Sequence, residues 1–269
     1  MNIIGQDKLI NKINSTNIDD WPSSTILLGD VGCGKHTVLN YITNRYNLKQ
    51  IELTKNLNQE SIEAAYQRVE PCLYYFDAKL LSEKQQNMLL KFIEEPLSGS
   101  FIVILCDNRS RLLPTVLNRC QVLEFEAYNT ETLSKFIDKD YPQSDYILEL
   151  STTPGQVKLF QSSNANAMKE LADKMFDKMS TASFSNTLSI SSKIAFKGEK
   201  DKFDVQLFIK VLNNSLLRKI QISDNPLYYE MFNIVQELVY KSKLINVDMR
   251  YLFDSFLCKL WRCSRNDRY

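Results

Sequence analysis

The densest chemistry in this chain lies between Gly29 and Thr37. The segment Gly29-Asp30-Val31-Gly32-Cys33-Gly34-Lys35-His36-Thr37 spaces its glycines and lysine as a phosphate-binding loop does. Glycines there let the backbone turn so that successive N–H groups, around Gly32 to Lys35, face one anion. Lys35 then reaches the terminal phosphates. The expected nucleotide-binding set from this loop is Gly29, Gly32, Cys33, Gly34, Lys35, His36 and Thr37, with ATP or ADP as the ligand. One position departs from the pattern. His36, the single histidine, stands where Ser or Thr would coordinate Mg²⁺. Hard Mg²⁺ prefers oxygen, so imidazole weakens the case for the metal. His36 reads more readily as an ordinary helix residue than as a ligand.

A second set follows. Asp77 ends the apolar run Cys72–Phe76 and could hold Mg²⁺ through water, or could merely cap a turn. The next residue would be a glutamate if attacking water were to be polarised; here it is Ala78. Losing such a base lowers a rate by roughly a hundredfold or more. Asn108 follows the run Phe101–Cys106 and could contact a γ-phosphate, although loop asparagines are common. Arg119 offers a permanently charged fork that matches phosphate oxygens, or a salt bridge at a domain edge. Lys79, Lys84 and Lys91 could face nucleic-acid phosphates; a solvated helix face explains each of them as well. Together these residues imply nucleotide binding that outlasts efficient hydrolysis.

Elements must position these groups. Thr25–Leu28 reads as a strand ending at Gly29, and Thr37–Tyr46 as the following helix. Cys72–Phe76, Phe101–Cys106 and Gln121–Phe125 are further strand-like runs. Ser82 with Gln85 forms a capping-box pattern opening a helix that Pro96 stops, with Met88, Leu89, Phe92 and Ile93 as its apolar stripe. Continuous apolar strands alternating with helices indicate a parallel α/β sheet covered on both faces. Past residue 127 the pattern becomes helical. Asn129 is placed to cap a helix through Ile137, Tyr146–Leu150 is a short helix, and Thr153-Pro154 starts another. From Ser185 the chain reads as all helix. One segment carries Phe203, Leu207, Phe208, Val211, Leu212 and Leu216; a second starts at Asn225-Pro226; a third carries Met249, Leu252, Phe253, Phe256 and Leu260. The aromatic stripes at Phe203–Phe208 and Phe253–Trp261 suit a core or subunit interface better than a stacking platform for bases. Three parts are expected: 1–127, 128–180 and 181–269.

Composition narrows the class. The 269 residues suffice for two or three domains, and 44% are apolar. Lys and Arg number 33 against 32 Asp and Glu, so a net charge of +1 excludes a general nucleic-acid sponge. The six cysteines form no CxxC pair, which argues against a zinc ribbon and suits reduced thiols. The N-terminus shows no signal-like apolar region and no run approaches membrane-spanning length. A cytoplasmic protein without membrane contact is expected.

Longer motifs then become specific. Asn87-Met88-Leu89-Leu90-Lys91-Phe92-Ile93-Glu94-Glu95-Pro96 resembles the NxLLKxxEEP segment of the AAA+ clamp-loader family. Leu112 to Cys120 resembles its LLPTIxSRC stretch, with Asn118 for the usual Ser, and Ile4-Gly5-Gln6 resembles its N-terminal segment near the adenine. Within that family Asp77-Ala78-Lys79-Leu80-Leu81 is similar to the D-A-x-L-L of the DNA polymerase III delta-prime type. Thr153-Pro154-Gly155 resembles the delta-prime S-P-G where an ATPase subunit has arginine, and Ser192 to Phe208 resembles the start of its collar. The resemblance departs at residues 38–71, which contain no cysteine where bacterial relatives carry a four-cysteine zinc module; a short, zinc-free form is implied. It implies an AAA+ nucleotide-binding domain (1–127), a helical lid (128–180) and an all-α collar (181–269) that joins other clamp-loader subunits in a pentamer-like hetero-oligomer. It further implies work on a sliding clamp and primed DNA, Arg119 as a catalytic finger in trans, and weak or absent ATPase activity within a DNA polymerase holoenzyme. The alternative is a self-sufficient AAA+ ATPase acting as a homomeric clamp or helicase loader.

Overall fold

A computed structural model describes residues 3–95, 99–138, 141, 144–163, 165–196, 203–242, 244 and 247–265. The chain forms two compact units, Met1–Phe136 with Thr152–Gln156, and Ile137–Ser151 with Val157–Tyr269.

The first unit is a five-stranded parallel sheet with helices on both faces. In chain order its elements are α1 (Asp7–Ser15), β1 (Ser24–Leu28), α2 (Lys35–Arg45), β2 (Lys49–Glu52), α3 (Gln59–Tyr66), β3 (Cys72–Asp77), α4 (Glu83–Glu94), β4 (Phe101–Cys106), α5 (Pro114–Leu117), β5 (Gln121–Glu124) and α6 (Thr130–Ser134). The strand order is β2-β3-β4-β1-β5. β1 is buried along its whole length because it pairs with β4 on one side and β5 on the other. Its residues alternate between two cores, as strand periodicity dictates. Ile26 and Leu28 join Tyr74, Phe76, Ile104, Leu89 and Phe92 on one face, while Leu27 joins Leu105, Val38, Leu39 and Ile42 on the other.

The expected runs at 25–28, 72–76, 101–106 and 121–125 are strands of this sheet. The fifth strand, β2, escaped the pattern because it is an edge strand with exposed ends and a half-buried middle, so Lys49-Gln50-Ile51-Glu52 carries no apolar run. α4 begins with the expected capping box: Ser82 accepts from the Gln85 backbone N–H and Gln85 reaches back to that of Ser82. Pro96, expected to stop it, lies outside the described residues. α6 ends at Ser134, short of Ile137, because Lys135 and Phe136 close tighter bonds to the carbonyls of Thr132 and Leu133.

The second unit contains α7 (Ser144–Leu150), most of α8 (Pro154–Ser162), α9 (Ala165–Lys178), α10 (Phe184–Leu188), α11 (Val205–Ile222), α12 (Pro226–Lys241) and α13 (Met249–Cys263). Phe208, Phe253, Val235, Leu238 and Leu260 are buried there, the Phe208 and Phe253 rings lying 6.1 Å apart. The all-helix expectation from Ser185 is corrected at one place. Two short strands, β6 (Ile194–Ala195) and β7 (Phe203–Asp204), pair in parallel. Phe203 therefore precedes the helix assigned to it. The Asp204 carboxylate accepts from the N–H groups of Gln206 and Leu207 and so fixes the start of α11 at Val205. Among the described residues no helix is long and apolar enough to cross a membrane.

Candidate functional site

The carboxyl ends of adjacent parallel strands bring the expected residues to one edge of the sheet. Leu28 of β1 is level with Cys106 of β4, and Asp77 of β3 with Leu105. Gly29, Asp77 and Asn108 thus follow three neighbouring strands at the same end, where open α/β sheets take their ligands.

The loop between β1 and α2 has the backbone of a phosphate cradle. Gly29 N–H still pairs with Cys106 O at 3.0 Å, continuing the ladder by one residue. Gly32 and Gly34 then take positive φ values of 83° and 102°, which side chains resist. α2 starts at Lys35, two residues earlier than its apolar pattern indicated, with Gly34 as a cap that offers no side-chain acceptor. Its first N–H groups therefore lack a capping side chain, the arrangement that receives an anion. Cys33 is buried beneath the loop, and burial pushes its thiol above the ordinary range against the pull of Lys35.

The side chains around the loop make mostly local bonds. Lys35 Nζ donates to Gly29 O, and to Asp30 O at 3.0 Å. His36 is exposed and sets its ring edge-on to Tyr75, with centroids 6.0 Å apart. Asp77 caps the turn that follows it: Oδ1 accepts from Lys79 N–H at 2.9 Å, and its own N–H donates to Thr54 Oγ1 at 2.9 Å. Ala78 is buried and presents no polar atom. Asn108 Oδ1 accepts from Ser110 N–H at 3.0 Å. The phosphate cradle fits a nucleotide. For Mg²⁺ the fit is poor, since position 36 offers no oxygen and the Asp77 carboxylate caps a backbone amide. Among the described residues no three His, Cys, Asp or Glu side chains cluster as metal ligands.

Arg119 is not brought to the loop. It follows α5, is exposed, and pairs with Glu94 at the end of α4 while donating to Thr115 O at 3.1 Å. Lys79, Lys84 and Lys91 are all exposed.

Several residues that hold the site are named in the sequence through a resemblance, as Gln6 and Thr153 are, or not at all, as Tyr128 and Gln86 are. Gln6, fully buried, clamps the backbone beyond β5, donating to Glu126 O and accepting from Glu126 N–H, both at 2.9 Å. Just beyond, Tyr128 donates its hydroxyl to Cys33 O at 2.7 Å. Thr153 reads from the sequence as a cap and, with Gly155, as part of the S-P-G-like segment; its Oγ1 donates to Val31 O at 2.9 Å, and Gly155 N–H donates to Gly32 O at 2.9 Å. Gln86 is buried on the apolar face of α4, donates to Arg111 O and accepts from Leu113 N–H, both at 2.8 Å, and so ties down the segment that leads to Arg119. One signal was visible: a glutamine three residues before Leu89 and seven before Ile93 sits on the buried stripe and needs polar partners there.

Comparison with known proteins follows the same residues. The family model described as DNA polymerase III, delta subunit, matches residues 9–129. DNA polymerase III subunit delta' of Haemophilus influenzae is 30% identical over 81 residues, covering 30% of this chain and 25% of the relative. The Bacillus subtilis subunit delta' is 27% identical over 89 residues, 33% of this chain and 24% of the relative. The matched stretch thus spans about a quarter of the length of these curated relatives. Among solved structures, the Thermotoga maritima RuvB Holliday junction branch migration motor aligns with 94% of this chain and 88% of its own at a TM-score of 0.51 and 15% identity. A DNA polymerase III gamma subunit-related protein from the same organism aligns with 97% of this chain and all of its own at a TM-score of 0.50 and 12% identity. At such identities these two share a fold with the chain and nothing finer. Over residues 9–129, the part that builds the sheet and carries the phosphate loop, the chain is similar to the family described as DNA polymerase III, delta subunit.

Proposed function

We propose that this chain is a delta-prime-like subunit of a sliding-clamp loader, which assembles the complex and supplies Arg119 to the nucleotide site of a neighbouring ATPase subunit. The observation that carries the reading is a phosphate cradle with intact backbone beside positions emptied of hydrolytic chemistry. Gly32 and Gly34 hold the left-handed turns, while Ala78 and His36 stand where a base and a metal-binding hydroxyl would act. ATP or ADP binds at Gly29–Thr37, with Lys35 transferring from its loop carbonyls to phosphate oxygens and Asp77 and Asn108 bordering the site. Turnover by the chain itself is weak or absent, and Mg²⁺ is not firmly held. The nucleotide domain spans 1–127, a lid 128–180 and a collar 181–269. The partners are other loader subunits, a ring-shaped clamp and primed DNA reached through the complex, all in the cytoplasm.

The geometry of Arg119 agrees with transfer to a partner. Its ion pair with Glu94 is exposed on both sides, and such pairs contribute about 0–1 kcal/mol. A neighbour's phosphate can therefore take the guanidinium at little cost, and arginine fingers accelerate phosphoryl transfer by on the order of a thousandfold or more.

The test uses the chain with the ATPase subunits that co-purify with it. Arg119→Ala should leave the mass of the complex intact and remove most of the partner's stimulated ATP turnover, while Lys35→Ala leaves that turnover in place. If the chain alone hydrolyses ATP, and loses this with Lys35→Ala but not with Arg119→Ala, the stator reading fails and a homomeric ATPase replaces it.

A further inference from the structure

Three successive carbonyls of the phosphate loop are held by donors that lie outside it. Val31 O accepts from Thr153 Oγ1 at 2.9 Å, Gly32 O from Gly155 N–H at 2.9 Å, and Cys33 O from Tyr128 Oη at 2.7 Å. In a planar trans peptide the C=O of one residue and the N–H of the next point in opposite directions. Fixing Val31 O therefore aims the Gly32 N–H, and fixing Cys33 O aims that of Gly34. Both glycines have positive φ and the widest conformational freedom of any residue type, so nothing in their own side chains sets these directions. The Cys33 N–H between them is occupied by Asp30 O at 3.1 Å.

The donors are themselves rigidly placed. Thr153 is buried. At Gly155 an added Cβ would stand 2.6 Å from Gly32 Cα, so the two backbones touch. Tyr128 follows the stretch clamped by Gln6, and its ring packs against Gly5, where a Cβ would lie 3.0 Å from Cε1.

We infer that Tyr128 and Thr153 are positioning residues for nucleotide phosphate: they aim the Gly32 and Gly34 amides at the anion without touching it. This rests on the reading of residues 29–37 as a nucleotide site. It gives the N-terminal Gly5-Gln6 and the 152–156 segment a shared task, preorganising a cradle whose glycines would otherwise sample many orientations.

Calorimetric titration of ADP into the full chain tests it. Wild type should bind; Tyr128→Phe and Thr153→Val should each weaken binding about tenfold, the scale of one lost hydrogen bond; Thr153→Ser should restore it. Addition of inorganic phosphate should shift the amide resonances of Gly32 and Gly34 in wild type and shift them less in Tyr128→Phe. Thermal unfolding run in parallel keeps each titration below its midpoint, and Tyr128→Phe preserves the ring that packs on Gly5. Equal affinity in wild type, Tyr128→Phe and Thr153→Val would overturn the positioning role while leaving the nucleotide site standing. A wild-type chain that binds no ADP would overturn the nucleotide reading and this inference with it.

Discussion

Gln86 shows how much a single buried amide can organise. Its two ends satisfy Arg111 O and Leu113 N–H inside an otherwise apolar face. Removing it strands both groups, and a stranded buried polar group costs about 1–3 kcal/mol. Gln86→Ala is therefore expected to lower unfolding stability by about 2 kcal/mol in urea titration. Glu94→Gln, which removes the carboxylate facing Arg119 at an exposed position, should change stability by less than about 1 kcal/mol. The contrast separates a structural amide from a resting partner of the proposed finger. These residues also mark the limit of legibility. Gly29, Gly32, Gly34 and Lys35 announce themselves through spacing. The hydroxyls of Tyr128 and Thr153 do not, because they act on backbone carbonyls about a hundred residues away in sequence, and no local pattern encodes such a pairing.

At the scale of the element, α4 is fixed at its start by a cap and along its length by aromatic packing. Phe92 lies edge-on to Tyr74 at 5.4 Å and to Tyr66 at 5.6 Å, with Phe76 at 6.4 Å, which fastens the helix under β3. Phe92→Ala should cost about 3–5 kcal/mol and Ser82→Ala, which breaks the capping box, about 1 kcal/mol, both measured by denaturant unfolding of the full chain. Tyr74 adds a pH dependence. Burial, reinforced by the neighbouring Cys72, raises its phenol from 10.0 to about 12. The folded chain thus keeps a proton that the unfolded chain releases, so this contribution is complete below pH 10 and declines as pH rises through about 12. Denaturant midpoints taken from pH 9 to 12 should fall, and Tyr74→Phe should flatten that decline. The strands and α4 were readable because burial on both faces forces continuous apolar runs and because caps follow local chemistry. β2 was not, since an edge strand paired on one side alone has no need of apolar residues. β6 and β7 were hidden for another reason: strands of two residues carry no period to detect.

For the molecule as a whole, the near balance of 33 basic and 32 acidic residues sets the terms of any meeting with DNA. Affinity for duplex DNA scales with the number of phosphates neutralised, and this chain has little surplus charge to offer. The isolated chain is expected to leave a primed duplex unshifted in a gel at physiological salt, with retention appearing only when the other loader subunits are added. Retention by the chain alone would count against the proposed membership of a larger assembly.

The close approach of Gly32 and Gly155 limits what residue 155 can become. Any side chain on residue 155 would run into Gly32 Cα and Gly32 O at 2.6 and 3.0 Å. An arginine at this position is thus barred at the main chain before its charge could be of use. A side chain at 155 therefore requires the loop to shift first, and a single substitution there carries a main-chain cost whatever its charge.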